Sequence, residues 1–405
     1  MTPRAQFDAL LHRPEPLLVL APMQDVTDLP FWRLMARYGG ADVYWTEYFR
    51  VHAESHLDRY ILQSITENPT GRPVVAQMIG NDVPALVRTA KELQQHPVAA
   101  IDLNLGCPAP VVYRKCAGGG LLRDPQKIDT ILGGLREAVA VPFTVKTRIG
   151  FDASDVFETL LRLFQKHAVD LVTVHGRTVT QMYRPGVRYD LIAQASRELR
   201  CPVLANGNVY GPHQALELLA ETGASELMIG RGAIRNPWMF DQIRQVRRGE
   251  APRLPTGRDV LQYIHELWDA QSTDDAPEHL QAQRMKKFMN FIGEGVGPTV
   301  GSSRSTVRSS HAQQVGSSRC DDRERRSAAS PTLAQDFLFE IRRVQTRGEF
   351  FSICAAYLDH SQPMTLMPSD VGGVDTGGGN GVKGTSSFEW TQNGLRRFQP
   401  RMNTD

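Results

Sequence analysis

A chain of 405 residues is too long for one average domain and long enough for a barrel with an accessory domain. Hydrophobic residues make up 41% and charged residues 22%, and the net charge is only +2; the chain can build a large core but is no global polycation. Any nucleic-acid surface must therefore be a local patch.

The opening stretch MTPRAQFDALLHRPEP lacks a long apolar segment and contains three prolines, so no signal peptide is read there. No apolar run approaches the ~20 residues that a membrane-spanning helix needs. The five cysteines (Cys107, Cys116, Cys201, Cys320, Cys354) are too scattered for a disulfide framework, and none forms a C-x-x-C pair. These features predict a reduced, soluble, cytoplasmic protein, monomeric and without a bound metal.

Short apolar runs then recur in chain order: LLVLA (17–21), DVYWT (42–46), VVAQMI (74–79), AIDLN (100–104), FTVKT (143–147), LVTVH (171–175), PVLAN (202–206) and ELMIG (226–230). Near-continuous β-branched runs suit strands buried on both faces of a parallel sheet. The segments 82–95, 124–138, 154–167 and 212–222 are long enough for crossover helices, and Asp82, Asp124 and Ser154 stand where helix caps belong. Eight such units predict a closed (β/α)8 TIM barrel over residues 1–250. An open doubly wound sheet would carry a phosphate-binding glycine motif near its first strand, and LAPMQD has none.

Beyond Pro255 the period becomes helical. Val260, Leu261, Ile264, Leu267 and Trp268 share one face, as do Met285, Phe288, Met289 and Ile292, and helices are expected at 333–344 and 350–358. This predicts a small all-helical domain over 255–368, interrupted by the serine- and arginine-rich segment 298–331. That segment and the glycine-rich tail 369–405 have no apolar periodicity and are expected to be disordered.

The functional groups of such a barrel lie where its strands end. The ends supply Pro22, Met23 and Gln24; Gln77; Asn104, Gly106, Cys107 and Pro108; Lys146 and Arg148; His175 and Arg177; Asn206, Gly207 and Asn208; and Gly230 and Arg231. The NGN and GRG turns after the last two strands offer small residues and a guanidinium where barrels commonly hold a phosphate, or they are simply tight turns. Lys146 is either a fixed charge in the mouth or half of a structural ion pair. Cys107, pinned between Gly106 and Pro108, suits a nucleophile or a proton donor, and the glycines of the following loop APVVYRKCAGGG suggest a lid. The other cysteines read as inert.

The motifs LAPMQDVTDLPFW, TEYFRV, LNLGCP, GGGLLRDP, VKTRIGFD, VHGRT, ANGNV and IGRGAIRNPW, in this order, resemble the tRNA-dihydrouridine synthases, with TEYFRV and the triple glycine most similar to the branch acting on uridine 16. The resemblance implies an FMN-bearing barrel that uses NADPH to reduce the C5–C6 bond of uridine in the D-loop of tRNA. By the same likeness Cys107 is the proton donor. Pro22, Met23, Gln24, Gln77, Lys146, His175, Asn206, Gly207, Asn208, Gly230 and Arg231 contact FMN. Asn104, Arg148 and Tyr183 approach the tRNA, joined by a basic face of the helical domain carrying Arg284, Lys286, Lys287, Arg342, Arg343 and Arg347. Two other readings stand beside it: a flavin barrel acting on a free pyrimidine, and a non-catalytic RNA-binding relative.

Overall fold

The computed structural model describes residues 2–272, 276–297 and 332–368. The segment 298–331 and the tail from Ser369, both expected to be disordered, lie outside the described residues.

All eight expected strands form: β1 (Leu18–Leu20), β2 (Val43–Trp45), β4 (Val74–Ile79), β5 (Ala100–Leu105), β6 (Phe143–Arg148), β7 (Leu171–His175), β8 (Val203–Asn206) and β9 (Glu226–Ile229). Each pairs in parallel with the next, and β9 pairs back onto β1, which closes the barrel. A two-residue strand not foreseen from the sequence, β3 (Phe49–Arg50), pairs with the far end of β4 beside Met78 and Ile79.

Alternation along the strands sorts the residues into two populations. Outward side chains pack under the helices, and inward ones fill the barrel. The inner core at the N-terminal end is apolar (Val19, Val43, Trp45, Val75, Ala100, Leu171, Leu204, Met228), and a helix over Pro3–Leu11 closes that end by placing Phe7 edge-on to Trp45 at 6.3 Å. Further along, the inward positions turn polar: Gln77, Asp102, Asn104, Thr144, Lys146, Arg148, Thr173, His175 and Asn206. A buried polar layer of this kind must hydrogen-bond internally or to a ligand.

The crossover helices start where capping chemistry puts them. Asp82 accepts from Ala85 N at 2.8 Å and Asp124 from Lys127 N at 2.9 Å. Ser154 is not the cap that its position suggests. The helix there runs from Phe157 to Lys166 with Val156 before it, and Ser154 contributes only its carbonyl, to Phe157 N.

Four further helices follow, Gly257–Gln271, Glu278–Ile292, Leu333–Ile341 and Arg347–Leu358. On the first of them the buried face is Val260, Tyr263, Ile264, Leu267 and Trp268, with Leu261 only partly covered. These helices share one continuous apolar core with the barrel's outer layer. Phe288 stacks on Phe31 at 6.0 Å, and Tyr263 donates to the carbonyl of Ile234 at 2.9 Å. No helix among the described residues is long and apolar enough to cross a membrane.

Arg235 fastens this region to the barrel mouth. Its side chain is 2% exposed, Nε donates to the Phe291 carbonyl at 3.1 Å, and the guanidinium pairs with Glu294. Arg235→Met keeps the packing but orphans that carbonyl and leaves Glu294 without its cation, so the chain should lose about 2 kcal/mol. The urea midpoint of unfolding reads this loss; a variant unfolding at the parent midpoint would show that the contact carries no weight.

Candidate active site

The strand ends surround a cavity of about 390 Å³. Of the sequence-derived residues, Pro22, Met23, Gln24, Asn104, Cys107, Lys146, Arg148, His175, Tyr183, Asn206, Gly207, Asn208, Gly230 and Arg231 all line it. Gln77 does not. It is fully buried one layer below, its amide engaged by Asp102 and Asn104. Arg284, Lys286 and Lys287 lie outside the cavity wall as well.

Those helical-domain cations are partly committed. Arg284 pairs with Asp28 at 2.7 Å, the residue that caps the helix Leu29–Arg37, and Lys287 lies 3.7 Å from Asp25. Arg342 donates to Asn290 Oδ1 at 3.0 Å, Arg343 lies over the Phe339 ring and Arg347 pairs with Asp269. Arg148 is likewise occupied. Nε donates to the Gly106 carbonyl at 2.9 Å and Nη1 to the carbonyls of Thr178 and Met182, each at 2.8 Å, so this 2% exposed guanidinium ties the loops after β5 and β7 to the end of β6.

Among the described residues, five cationic side chains line the cavity (Lys146, Arg148, Arg177, Arg231, Arg235) and no carboxylate does. Arg235, Tyr48, Tyr210 and Phe291 went unassigned in the sequence reading, which named Arg177 at a strand end but gave it no ligand. Arg177 was visible as the residue two past His175, and Arg235 repeats Arg231 one helical turn on. Phe291 comes from the helical region, and no local signal marks it.

The electrostatics follow from burial beside these cations. Burial pushes Lys146 down to about 8, with Arg148 adding to the shift and Asp102 opposing it. Its Nζ reaches Asn206 Oδ1 at 3.1 Å. His175 is held well below the ordinary imidazole value, by burial first and then by Arg148, Lys146, Arg177 and Arg231, so it is neutral at pH 7. Arg177 donates to its Nε2 at 3.2 Å, which leaves the imidazole proton on Nδ1.

Cys107 is half-buried at the rim. Burial raises its thiol pKa above the ordinary value, although hydrogen bonds from Ala109 and Tyr48 and the charges of Arg148 and Lys146 pull the other way. A thiol that stays protonated at neutral pH suits an acid better than a nucleophile. Its main-chain N–H donates to Asn104 Oδ1 at 2.9 Å, and its carbonyl accepts from Gly119 N at 3.2 Å.

The glycines behind it serve close packing rather than a hinge. A Cβ on Gly119 would sit 2.5 Å from Val179 and 2.8 Å from the Cys107 carbonyl, and one on Gly120 would sit 2.5 Å from the Tyr113 carbonyl. Gly118–Arg123 is a buried 3-10 helix for most of its length.

The opposite wall is the pair of turns after β8 and β9. Gly207 and Asn208 both take positive φ, +134° and +43°, a geometry that turns the chain sharply at the cavity edge. Asn208 Oδ1 accepts from Arg231 at 3.2 Å, and the Arg231 guanidinium lies 4.9 Å from the centroid of the half-exposed Tyr183 ring. A Cβ on Gly230 would meet Met23 Sδ at 3.2 Å and narrow the floor.

Comparison with known proteins now bears on this site. The sequence model of the dihydrouridine synthase family matches residues 19–290. Among curated proteins, the tRNA-dihydrouridine synthase B of Xanthomonas axonopodis pv. citri is 36% identical over 61% of this chain and 75% of its own. A probable tRNA-dihydrouridine synthase of Rickettsia prowazekii is 34% identical over 62% and 78%. The tRNA-dihydrouridine(16) synthase of Neisseria meningitidis is 30% identical over 69% and 87%. Relatives of two branches thus match at similar levels, but the family itself does not change with the branch: this chain belongs to the dihydrouridine synthases.

Proposed function

We propose that the cavity holds FMN, that NADPH reduces it, and that Cys107 delivers the proton which completes reduction of a D-loop uridine. As a family member the chain is a flavin-dependent oxidoreductase that reduces uridine in tRNA. The observation that carries the finer reading is a mouth lined, among the described residues, by five cations and no carboxylate, with a half-buried neutral thiol at its rim.

The residues present fit a flavin mononucleotide. Its phosphate needs concentrated positive charge beside small residues, which Arg231, Arg177, Gly207 and Gly230 supply. Its ring needs polar partners in the cavity, whose lining includes Gln24, and Gln24 Oε1 is buried without a hydrogen-bond partner among the described residues. Lys146 would add a positive charge at neutral pH, and neutral His175 a hydrogen-bonding group that does not compete for the anion. When bound, the reduced flavin supplies a hydride to C6 of the uracil. The chain's own contribution is to hold the base, exclude water and release the Cys107 proton to C5.

A base stacked in folded tRNA must be flipped to reach the cavity, at a cost of a few kcal/mol. Tyr183 between Arg148 and Arg231, and exposed cations of the helical region such as Lys287, are the groups proposed to meet the RNA. Expression in cells lacking their own enzyme, followed by mass mapping of dihydrouridine in tRNA, tests the proposal and identifies the position. Released flavin that proves to be FAD, or turnover of free uridine without tRNA, would overturn it.

The depressed Lys146 pKa sets a pH dependence. A lysine that loses its charge near pH 8 attracts an anion below that value and not above it, so FMN affinity should fall as pH rises from 7 to 9. Titration of the flavin-free protein at the two pH values measures this. Lys146→Met should bind more weakly at pH 7 and show a flatter profile. An unchanged slope in that variant would assign the titration to another group.

A further inference from the structure

We infer that Asp102 and Gln77 are positioning residues for Cys107, acting through Asn104 on the main chain of the turn that bears the thiol. This rests on the assignment of Cys107 as the acid.

The contacts form one continuous path through the barrel interior. Asp102 is fully buried and accepts from Thr144 Oγ1 at 2.5 Å and from Gln77 Nε2 at 2.8 Å. Gln77 Oε1 accepts from Asn104 Nδ2 at 2.8 Å. Asn104 Oδ1 accepts from the main-chain N–H groups of Gly106 and Cys107, both at 2.9 Å. The main chain of Gln77 is itself fixed by donation to Thr46 Oγ1 at 3.0 Å.

The path has a direction. The N–H groups of Gly106 and Cys107 can only donate, so Asn104 must turn its oxygen to them and its NH2 to Gln77. Gln77 must then present its oxygen upward and its NH2 downward. The group at the root has to accept, and an ionised carboxylate can do nothing else. Reversing either amide would set N–H against N–H under the turn. Burial pushes Asp102 up to about 6, with Thr144, Gln77 and Lys146 pulling it back, so at neutral pH it is still an acceptor.

A buried carboxylate is a costly way to fill a barrel, and an apolar side chain would pack the space without that cost. What the carboxylate adds is orientation two links away. Proton transfer to carbon tolerates little misplacement of the donor, and a shift of about 1 Å can cost on the order of 10²-fold in rate.

The flavin-loaded protein tests this with two readouts: reoxidation of the reduced flavin by tRNA, and iodoacetamide labelling of the Cys107 peptide followed by mass spectrometry. Gln77→Met is close in shape and cuts both links; reoxidation should slow about 10- to 100-fold and Cys107 should label faster as its turn loosens. Asp102→Asn combined with Gln77→Glu moves the charge up one link and reverses the hydrogen bond between positions 77 and 102, while keeping the acceptor that Asn104 Nδ2 needs. It should restore both readouts to near the parent. If Gln77→Met weakens flavin binding but reoxidises and labels like the parent, or if the double variant is as slow as the single one, the inference fails. Should Gln77→Met not fold, Thr144→Val removes the hydroxyl at the root, and parent-like labelling and reoxidation in that variant would also overturn it. Cys107→Ala run alongside separates the two ideas. Parent-rate reoxidation there removes the acid assignment, while labelling of Cys107 in the Gln77→Met protein still reports whether the path holds the turn.

Discussion

Cys107→Ala should leave reduction of the flavin by NADPH at nearly the parent rate and slow its reoxidation by tRNA about 10²- to 10⁴-fold. The two half-reactions differ in what they ask of the chain. The first needs the flavin held and its far edge reachable; the second also needs a proton at C5. The thiol is a titratable group at the cavity rim that burial keeps protonated, while His175 nearby is held neutral by burial and four cations. Removing one sulfur from a half-buried turn whose main chain is tied by Asn104 and Gly119 leaves the turn's own bonds in place. Affinity for FMN and tRNA should therefore change little, since the lost interaction belongs to the transition state. Stopped-flow absorbance resolves both steps. Equal reoxidation rates in variant and parent would reduce Cys107 to a packing residue.

Arg231→Ala should weaken FMN binding about 10- to 100-fold, the equivalent of about 1.5–3 kcal/mol for a hydrogen bond to a charged group. Arg231 stands directly after the Gly230 turn, oriented by Asn208 Oδ1 at 3.2 Å and stacked near Tyr183. Arg177 and Lys146 remain, so binding should weaken without vanishing. Riboflavin supplies the control because it lacks the phosphate. Its affinity should be the same for parent and variant, and Arg231→Lys should recover part of the loss for FMN alone. Fluorescence titration of flavin-free protein measures all of these. A loss of equal size for riboflavin would place Arg231 against the ring and the phosphate elsewhere.

The strands were readable from residue order because burial on both faces demands continuous apolar runs. VVAQMI and FTVKT could hardly be anything else, and Lys146 stood out as the charge within one of them. The strand ends could be read in the same way: once eight units are counted, closure places NGN, GRG, His175 and Cys107 around one mouth. Caps were less secure. Ser154 had the right chemistry, but the helix begins three residues later. The helical periods were found, yet their exact faces were not, because Tyr263 buries a ring where Leu261 was expected.

What residue order alone determined is therefore the barrel, the family motifs and the ring of polar strand ends. Only the tertiary structure decided what each polar group is free to do. Arg148 looked available to RNA, and its guanidinium is instead spent on the carbonyls of Gly106, Thr178 and Met182. Gln77 looked like a mouth residue and lies below it, between Asp102 and Asn104. The glycines before LLRDP looked like those of a lid, and they let Val179 and Tyr113 close in behind Cys107. Phe291 reaches the cavity from the helix Glu278–Ile292, far along the chain from the last strand, Glu226–Ile229. The physical reason is the same in each case. Periodicity records which face of an element is buried, but hydrogen-bond partners and pKa shifts depend on groups brought together across the barrel, and these are set by packing.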